Sequence, residues 1–214
     1  AAVRYTGLVS RLRNLGHDVI DTGDIAVPVR DCQVCSTESG RDAENYLAEI
    51  TKICQSVYMA GKAAVQKNRF PLFIGGDHSI AVGTVSAVTE SGPCGLIWVD
   101  AHGDFNTPET SPSGNIHGMP LAALIGEGHA SLVNVGRPGR KILPENIVMI
   151  GQRDLDAGEK QRIKKSGITI FTMRDIDEQG ISAIALKTLM KFAHLKRIHL
   201  TLDMDAIDPV EAPG

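Results

Sequence analysis

The chain has 214 residues, enough for one domain or slightly more, and its 43% hydrophobic and 22% charged residues are the balance of a globular protein. A net charge of −3, with no basic stripe or Lys/Arg cluster, argues against a nucleic-acid or polyanion binder. No apolar run approaches membrane-spanning length, which argues against a membrane partner.

In chain order, residues 3–15 place Val3, Leu8, Leu12 and Leu15 at helical spacing, with Gly16 as the stop. A short strand is expected at 17–20, then a polar loop over 25–40. Residues 41–67 read as a long helix with Leu47, Ile50, Ile53, Cys54, Val57 and Ala60 facing inward. An apolar strand at 71–74 is broken by Gly75 and Gly76, a helix follows over 79–88, and Gly95-Leu-Ile-Trp-Val99 is a buried strand. Residues 100–118 form a polar loop rich in Gly, Pro, Asn and Ser, and a loop that long inside a compact domain is usually functional. Helices at 120–125, 156–165 and 181–192 and strands at 147–150, 168–171 and 197–202 complete the chain. Strands that alternate with helices and are apolar throughout predict a three-layer αβα fold around a mostly parallel sheet. Ligands bind such sheets outside the carboxyl ends of the strands.

Four cysteines, Cys32, Cys35, Cys54 and Cys94, are too few and too scattered to staple a chain of this length. Cys32 and Cys35 form a lone C-x-x-C with no second ligand pair at zinc spacing, so they read as ordinary thiols of a reducing cytoplasm.

Three predicted strand ends carry unusual residues: Gly-Gly-Asp77-His78-Ser79, Asp100-Ala-His102-Gly-Asp104 and Asp203-Met-Asp205. If strand geometry persists for a few residues, Asp100, His102 and Asp104 share one face, as do Asp203 and Asp205. Clustered carboxylates repel unless protonated or neutralised by cations. Four aspartates match the charge of two divalent ions, and an oxygen-rich set with one histidine per metal suits manganese better than zinc or magnesium. Each segment alone also has a plain reading, as a turn or a helix cap. All three on one sheet edge point to a metal centre.

These segments, together with Phe105-Asn106-Thr-Pro, Ser113-Gly-Asn115-Ile-His117-Gly-Met-Pro and Gly151-Gln-Arg-Asp-Leu-Asp156-x-Gly-Glu159, resemble the ureohydrolase family along essentially the whole chain, and within it the arginases. The resemblance implies a hydrolase that converts L-arginine to L-ornithine and urea with two Mn²⁺ and a metal-bridging hydroxide. It implies one metal held by His78, Asp100, Asp104 and Asp203 and another by Asp100, His102, Asp203 and Asp205, with Asp100 and Asp203 bridging. Asp104 would accept a hydrogen bond from the hydroxide, and His117 would act as acid/base or proton shuttle. Asn106 and Ser113, with Asn115 beside them, match contacts to the substrate α-carboxylate; Asp156, with Glu159 close by, matches the contact to its α-amino group. Neutral polar groups facing a carboxylate, and a carboxylate facing an ammonium, are chemically sensible pairs, although the same residues also suit turns and an early helix position.

The resemblance further implies a homo-oligomer, a trimer or hexamer. It implies an eight-stranded sheet, of which residues 1–214 are expected to lack the first and last strands. The chain is therefore read as a single catalytic domain incomplete at both ends, with the guanidinium-binding glutamate falling beyond Gly214. Two other readings stand beside this one. An agmatinase or other guanidino hydrolase would share the metals but need no α-carboxylate contacts, and an inactive metal-binding fragment would have the ligands without turnover.

Overall fold

The computed structural model describes residues 5–27 and 42–212, with the backbone alone at 42–45. Its centre is a sheet of four parallel strands, β1 (Gly95–Val99), β2 (Ile147–Gln152), β3 (Thr169–Thr172) and β4 (Ile198–Leu202), in the order β3-β2-β1-β4. Leu96 pairs with Ile147 on one side and with His199 on the other, so β1 and β2 are the inner strands. The described helices are α1 (Leu8–Asn14), α2 (Asp42–Gln66), α3 (Ala81–Thr89), α4 (Pro120–Leu124), α5 (Ala130–Val133), α6 (Ala157–Ser166), α7 (Met173–Gln179) and α8 (Ile181–Lys191).

The inner strands are apolar from Gly95 to Val99 and from Ile147 to Gly151 because both of their faces are covered. Leu96 and Trp98 of β1, with Ile147 and Met149 of β2, pack against Ala81 and Val85 of α3, Leu121 and Leu124 of α4 and Ile163 of α6. The alternate residues Ile97, Val148 and Ile150 pack on the opposite face with Ile184 of α8 and Phe192, and Ile176 of α7 lies against them. Each fully buried Leu or Ile contributes about 1.5–3 kcal/mol, so the two faces together hold the layers. A third cluster joins α2, through Cys54 and Tyr58, to Val82 and Ala87 of α3 and to Leu132 and Val135. There α3 approaches α2 so closely that a Cβ on Gly83 would lie 2.4 Å from the Cys54 carbonyl oxygen.

Several expectations change in detail. No strand forms at 17–20 or at 71–74. An extended apolar run becomes a strand only when a neighbour takes its backbone hydrogen bonds, and neither run has a ladder partner among the described residues. Ile20, Leu72 and Ile74 are accordingly exposed. On α2, Ala60 faces solvent, while Tyr58 and Gly61 join Cys54 and Val57 on the inner face. The helix expected from residue 79 opens as a 3-10 turn, His78–Ile80, before α3. Helix α7 was not anticipated, although Thr172 and Asp175 form a reciprocal capping box at its start. Val3, Arg41, Cys32, Cys35 and most of the 25–40 loop lie outside the described residues.

Candidate metal centre

The ladder carries two aspartates past the strand ends. The Asp100 N–H donates to the Ile150 carbonyl at 3.1 Å, and the Asp203 N–H donates to the Val99 carbonyl at 2.9 Å. Because Val99 pairs with Leu202, Asp100 and Asp203 occupy the next rung on adjacent strands. Asp100 is 1% exposed and divides its two oxygens. Its Oδ2 lies 2.7 Å from His78 Nδ1 and accepts from the Trp98 indole at 3.2 Å. Its Oδ1 accepts from the His102 backbone at 2.7 Å and lies 3.5 Å from His102 Nδ1.

The same His78 nitrogen meets Asp104 Oδ2 at 3.0 Å and Asp203 Oδ2 at 3.5 Å. His102 Nδ1 meets Asp205 Oδ2 at 2.9 Å. Two groups of candidate ligands result, His78–Asp100–Asp104 and Asp100–His102–Asp205, each with its ligand atoms within 4.8 Å of one another, and Asp100 belongs to both. The convergence does not come from continued strand alternation. After Asp100 the chain turns, and Asp104 adopts a left-handed conformation with φ of 49°.

Asp77 and His78 have separate tasks. Asp77 Oδ1 accepts from the Ser79 N–H at 3.0 Å and caps the 3-10 turn, which leaves the His78 ring to face the carboxylates. His78 is held on two further sides: Nε2 lies 2.9 Å from Thr201 Oγ1, and the ring stacks on Trp98. Burial alone would lower the His78 pKa, but hydrogen bonds donated to Asp100 and Asp104 carry it up to about 9. Burial pushes the Asp104 carboxyl up; His78 opposes this, and repulsion from Asp100 and Glu159 adds to it. His102 is also raised, with burial outweighed by Asp205 and the other carboxylates. Protons are thus retained where the chain crowds anionic oxygens, and divalent cations fit the donor set because they replace those protons with a larger charge.

His78, His102, Asp104, Asp203 and Asp205 line one cleft of about 440 Å³, and Asp100 is buried behind His78 and His102, in contact with both. Asn106, Ser113, Asn115, His117, Asp156 and Glu159 line the same cleft, and its described lining contains no Lys or Arg. Asn106 donates from Nδ2 to Asp156 Oδ2 at 2.9 Å and accepts from Thr110 at 3.0 Å. Ser113 Oγ accepts from the Asn115 N–H at 3.2 Å, which leaves the hydroxyl hydrogen to donate elsewhere. His117 sits exposed on a 3-10 turn, Ile116–Gly118, and the Asn106 N–H ties the two arms of the loop by donating to the Gly118 carbonyl at 3.1 Å. Glu159 is 3% exposed and accepts from the Phe105 N–H at 2.7 Å; burial raises its pKa and this bond opposes the rise.

Sequence reading passed over three supports of the site and one buried amide. Trp98 and Thr201 each stand two residues before a candidate ligand, on the same face of their strands as Asp100 and Asp203, so the period-2 rule marks them. Arg153 grips the turn that carries Asp205, donating to the carbonyls of Asp205, Ala206 and Ile207 at 2.5, 3.1 and 3.3 Å. Gln152, at 1% exposure, has neither side-chain polar atom partnered among the described residues.

A parallel α/β sheet with acidic and imidazole groups gathered at its carboxyl edge has the makings of a metal-binding catalytic site. Comparison with known proteins gives the family. The Arginase family model matches residues 2–214. An arginase of Staphylococcus aureus (strain MSSA476) is 50% identical over 216 residues, which span 100% of this chain and 70% of the relative. An arginase of Bacillus subtilis (strain 168) is 45% identical over 100% of this chain and 71% of its own. The solved structure of the arginase from Bacillus caldovelox superposes with a TM-score of 0.93 at 44% identity, covering 100% of this chain and 71% of that one. The chain belongs to the arginase family, and it is a hydrolase of C–N bonds in linear amidines.

Proposed function

We propose that the protein hydrolyses L-arginine to L-ornithine and urea at a pair of Mn²⁺ ions. The observation that carries this reading is Asp100, whose two oxygens face two separate histidine–carboxylate groups beside an acidic cleft. His78, Asp100, Asp104 and Asp203 would hold one ion and Asp100, His102, Asp203 and Asp205 the other. Bound there, the ions supply a hydroxide near neutral pH and offset the carboxylate charge.

The chain's own groups account for the remainder. The guanidinium carbon is resonance-stabilised and a poor electrophile, so turnover needs a positioned substrate and a proton for the departing amine. The acidic lining attracts the cationic guanidinium. Asp156 takes the α-ammonium with Glu159 adding its charge, and the Ser113 hydroxyl, the Asn106 amide and Asn115 take the α-carboxylate. Asp104 accepts a hydrogen bond from the attacking oxygen, and His117, on its exposed turn, delivers a proton to the leaving nitrogen.

The neutral donors Asn106, Ser113 and Asn115 favour arginine over agmatine, which has no α-carboxylate. Urea release from the two substrates at equal concentration tests this. Arginine should lead in kcat/KM by on the order of a hundredfold or more, because agmatine leaves those donors unpaired. Equal rates would remove the assignment of arginine. The same reading places the protein in the cytoplasm, consistent with the free, buried thiols of Cys54 and Cys94. No described helix is long and apolar enough to cross a membrane. A homo-oligomer, trimer or hexamer, completes the reading and is measurable by light scattering.

A further inference from the structure

Helix α6 touches the metal loop at three positions spaced three residues apart. At its N-cap, Asp156 accepts from Asn106 Nδ2. One turn on, Glu159 Oε1 accepts from the Phe105 N–H at 2.7 Å. One turn further, Arg162 Nε donates to the Phe105 carbonyl at 3.0 Å, its guanidinium lies 4.9 Å from the centre of the Phe105 ring, and Nη2 pairs with Glu127 at 2.5 Å. Both backbone groups of Phe105 are therefore gripped by side chains of one helix. The residue immediately before it is Asp104, a non-glycine residue at φ 49°, a conformation that costs an L-residue about 1–2 kcal/mol. Glu159 also closes the other flank: a Cβ on Gly103 would lie 2.4–2.7 Å from the Glu159 carboxyl group.

The geometry points to Glu159 and Arg162 as positioning residues that hold the backbone at Phe105 so that Asp104 stays left-handed and its carboxylate faces His78. This rests on the reading of Asp104 as a ligand. It gives Glu159 a task besides its charge in the cleft, and it explains why a carboxylate is buried there at the cost of a raised pKa. A neutral acceptor of the same shape should serve, whereas an apolar side chain or a filled Gly103 should not.

The test compares wild type, Glu159→Gln, Glu159→Leu, Gly103→Ala and Arg162→Met by crystallography of the metal-free proteins and by calorimetric titration with Mn²⁺. Glu159→Leu and Gly103→Ala should release Asp104 from positive φ and weaken one of the two Mn²⁺ sites by about 10- to 100-fold, with Arg162→Met in between. Glu159→Gln should keep the φ and bind Mn²⁺ within about threefold of wild type. If Glu159→Leu does not fold, Gly103→Ala carries the comparison. Asp104 still left-handed in both variants would overturn the clamp, as would unchanged Mn²⁺ affinity alongside a released Asp104. Failure of wild type itself to bind Mn²⁺ would instead remove the metal reading, while the φ of Asp104 would still decide the clamp.

Discussion

The imidazole of His78 lies nearly flat on the indole of Trp98, with ring centroids 4.0 Å apart and planes 22° from parallel. The register partner of Trp98 on β4 is Thr201, whose hydroxyl meets His78 Nε2 at 2.9 Å. Neighbouring residues across one ladder thus hold the face and the edge of the same ring. They leave Nδ1 directed at Asp100, Asp104 and Asp203.

Thr201→Val keeps the shape and removes the hydroxyl, so the ring loses the bond that fixes its tautomer and orientation. Mn²⁺ affinity should fall about 10-fold or more. Thr201→Ser should restore it, and metal titration of the two variants checks both outcomes.

His117→Asn removes the proposed proton donor from the Ile116–Gly118 turn without touching a candidate ligand. Metal content by elemental analysis should stay at the wild-type value while kcat falls on the order of 10²-fold. Unchanged turnover would mean that another group protonates the leaving amine.

Gln152 is buried with an amide that has no partner among the described residues, and such a group costs about 1–3 kcal/mol. Leucine has a similar volume and nothing to satisfy. Gln152→Leu should therefore stabilise the protein by about 1–2 kcal/mol, seen as a melting temperature raised by roughly 3–6 °C.

Two histidines give the metal-free protein opposite pH dependences. Burial holds His199 down at about 4 against an ordinary 6.5, so the unfolded chain takes up a proton that the folded chain refuses. Its contribution is intact above pH 6.5 and is lost as pH falls toward 4. His78, raised to about 9, contributes fully below 6.5, and that contribution is lost as pH rises toward 9. Melting temperatures of the metal-free protein across this range should fall on both sides, and His199→Gln should flatten the acid limb.

Much of this was legible in the sequence because it is local. The strands β1 and β2 announce themselves as apolar runs and β4 as an alternating one, and Asp100-x-His102 and Asp203-x-Asp205 directly follow β1 and β4. The strands expected at 17–20 and 71–74 failed because pairing is a property of neighbours, which a single run does not encode. The role of Glu159 was hidden for a similar reason: its partner, the Phe105 N–H, lies 54 residues away, and only folding reveals that Gly103 leaves room for the carboxylate. Trp98 and Thr201 could have been found by counting two residues back from Asp100 and Asp203. Helix α7 could have been found from the Thr172–Asp175 capping spacing.

Metal stoichiometry tests most directly whether Asp100 serves two cations at once. Elemental analysis after Mn²⁺ loading and dialysis should give two ions per wild-type chain and less than one for Asp100→Asn, because both groups lose the same carboxylate. Two ions retained in Asp100→Asn, or none in wild type, would contradict it.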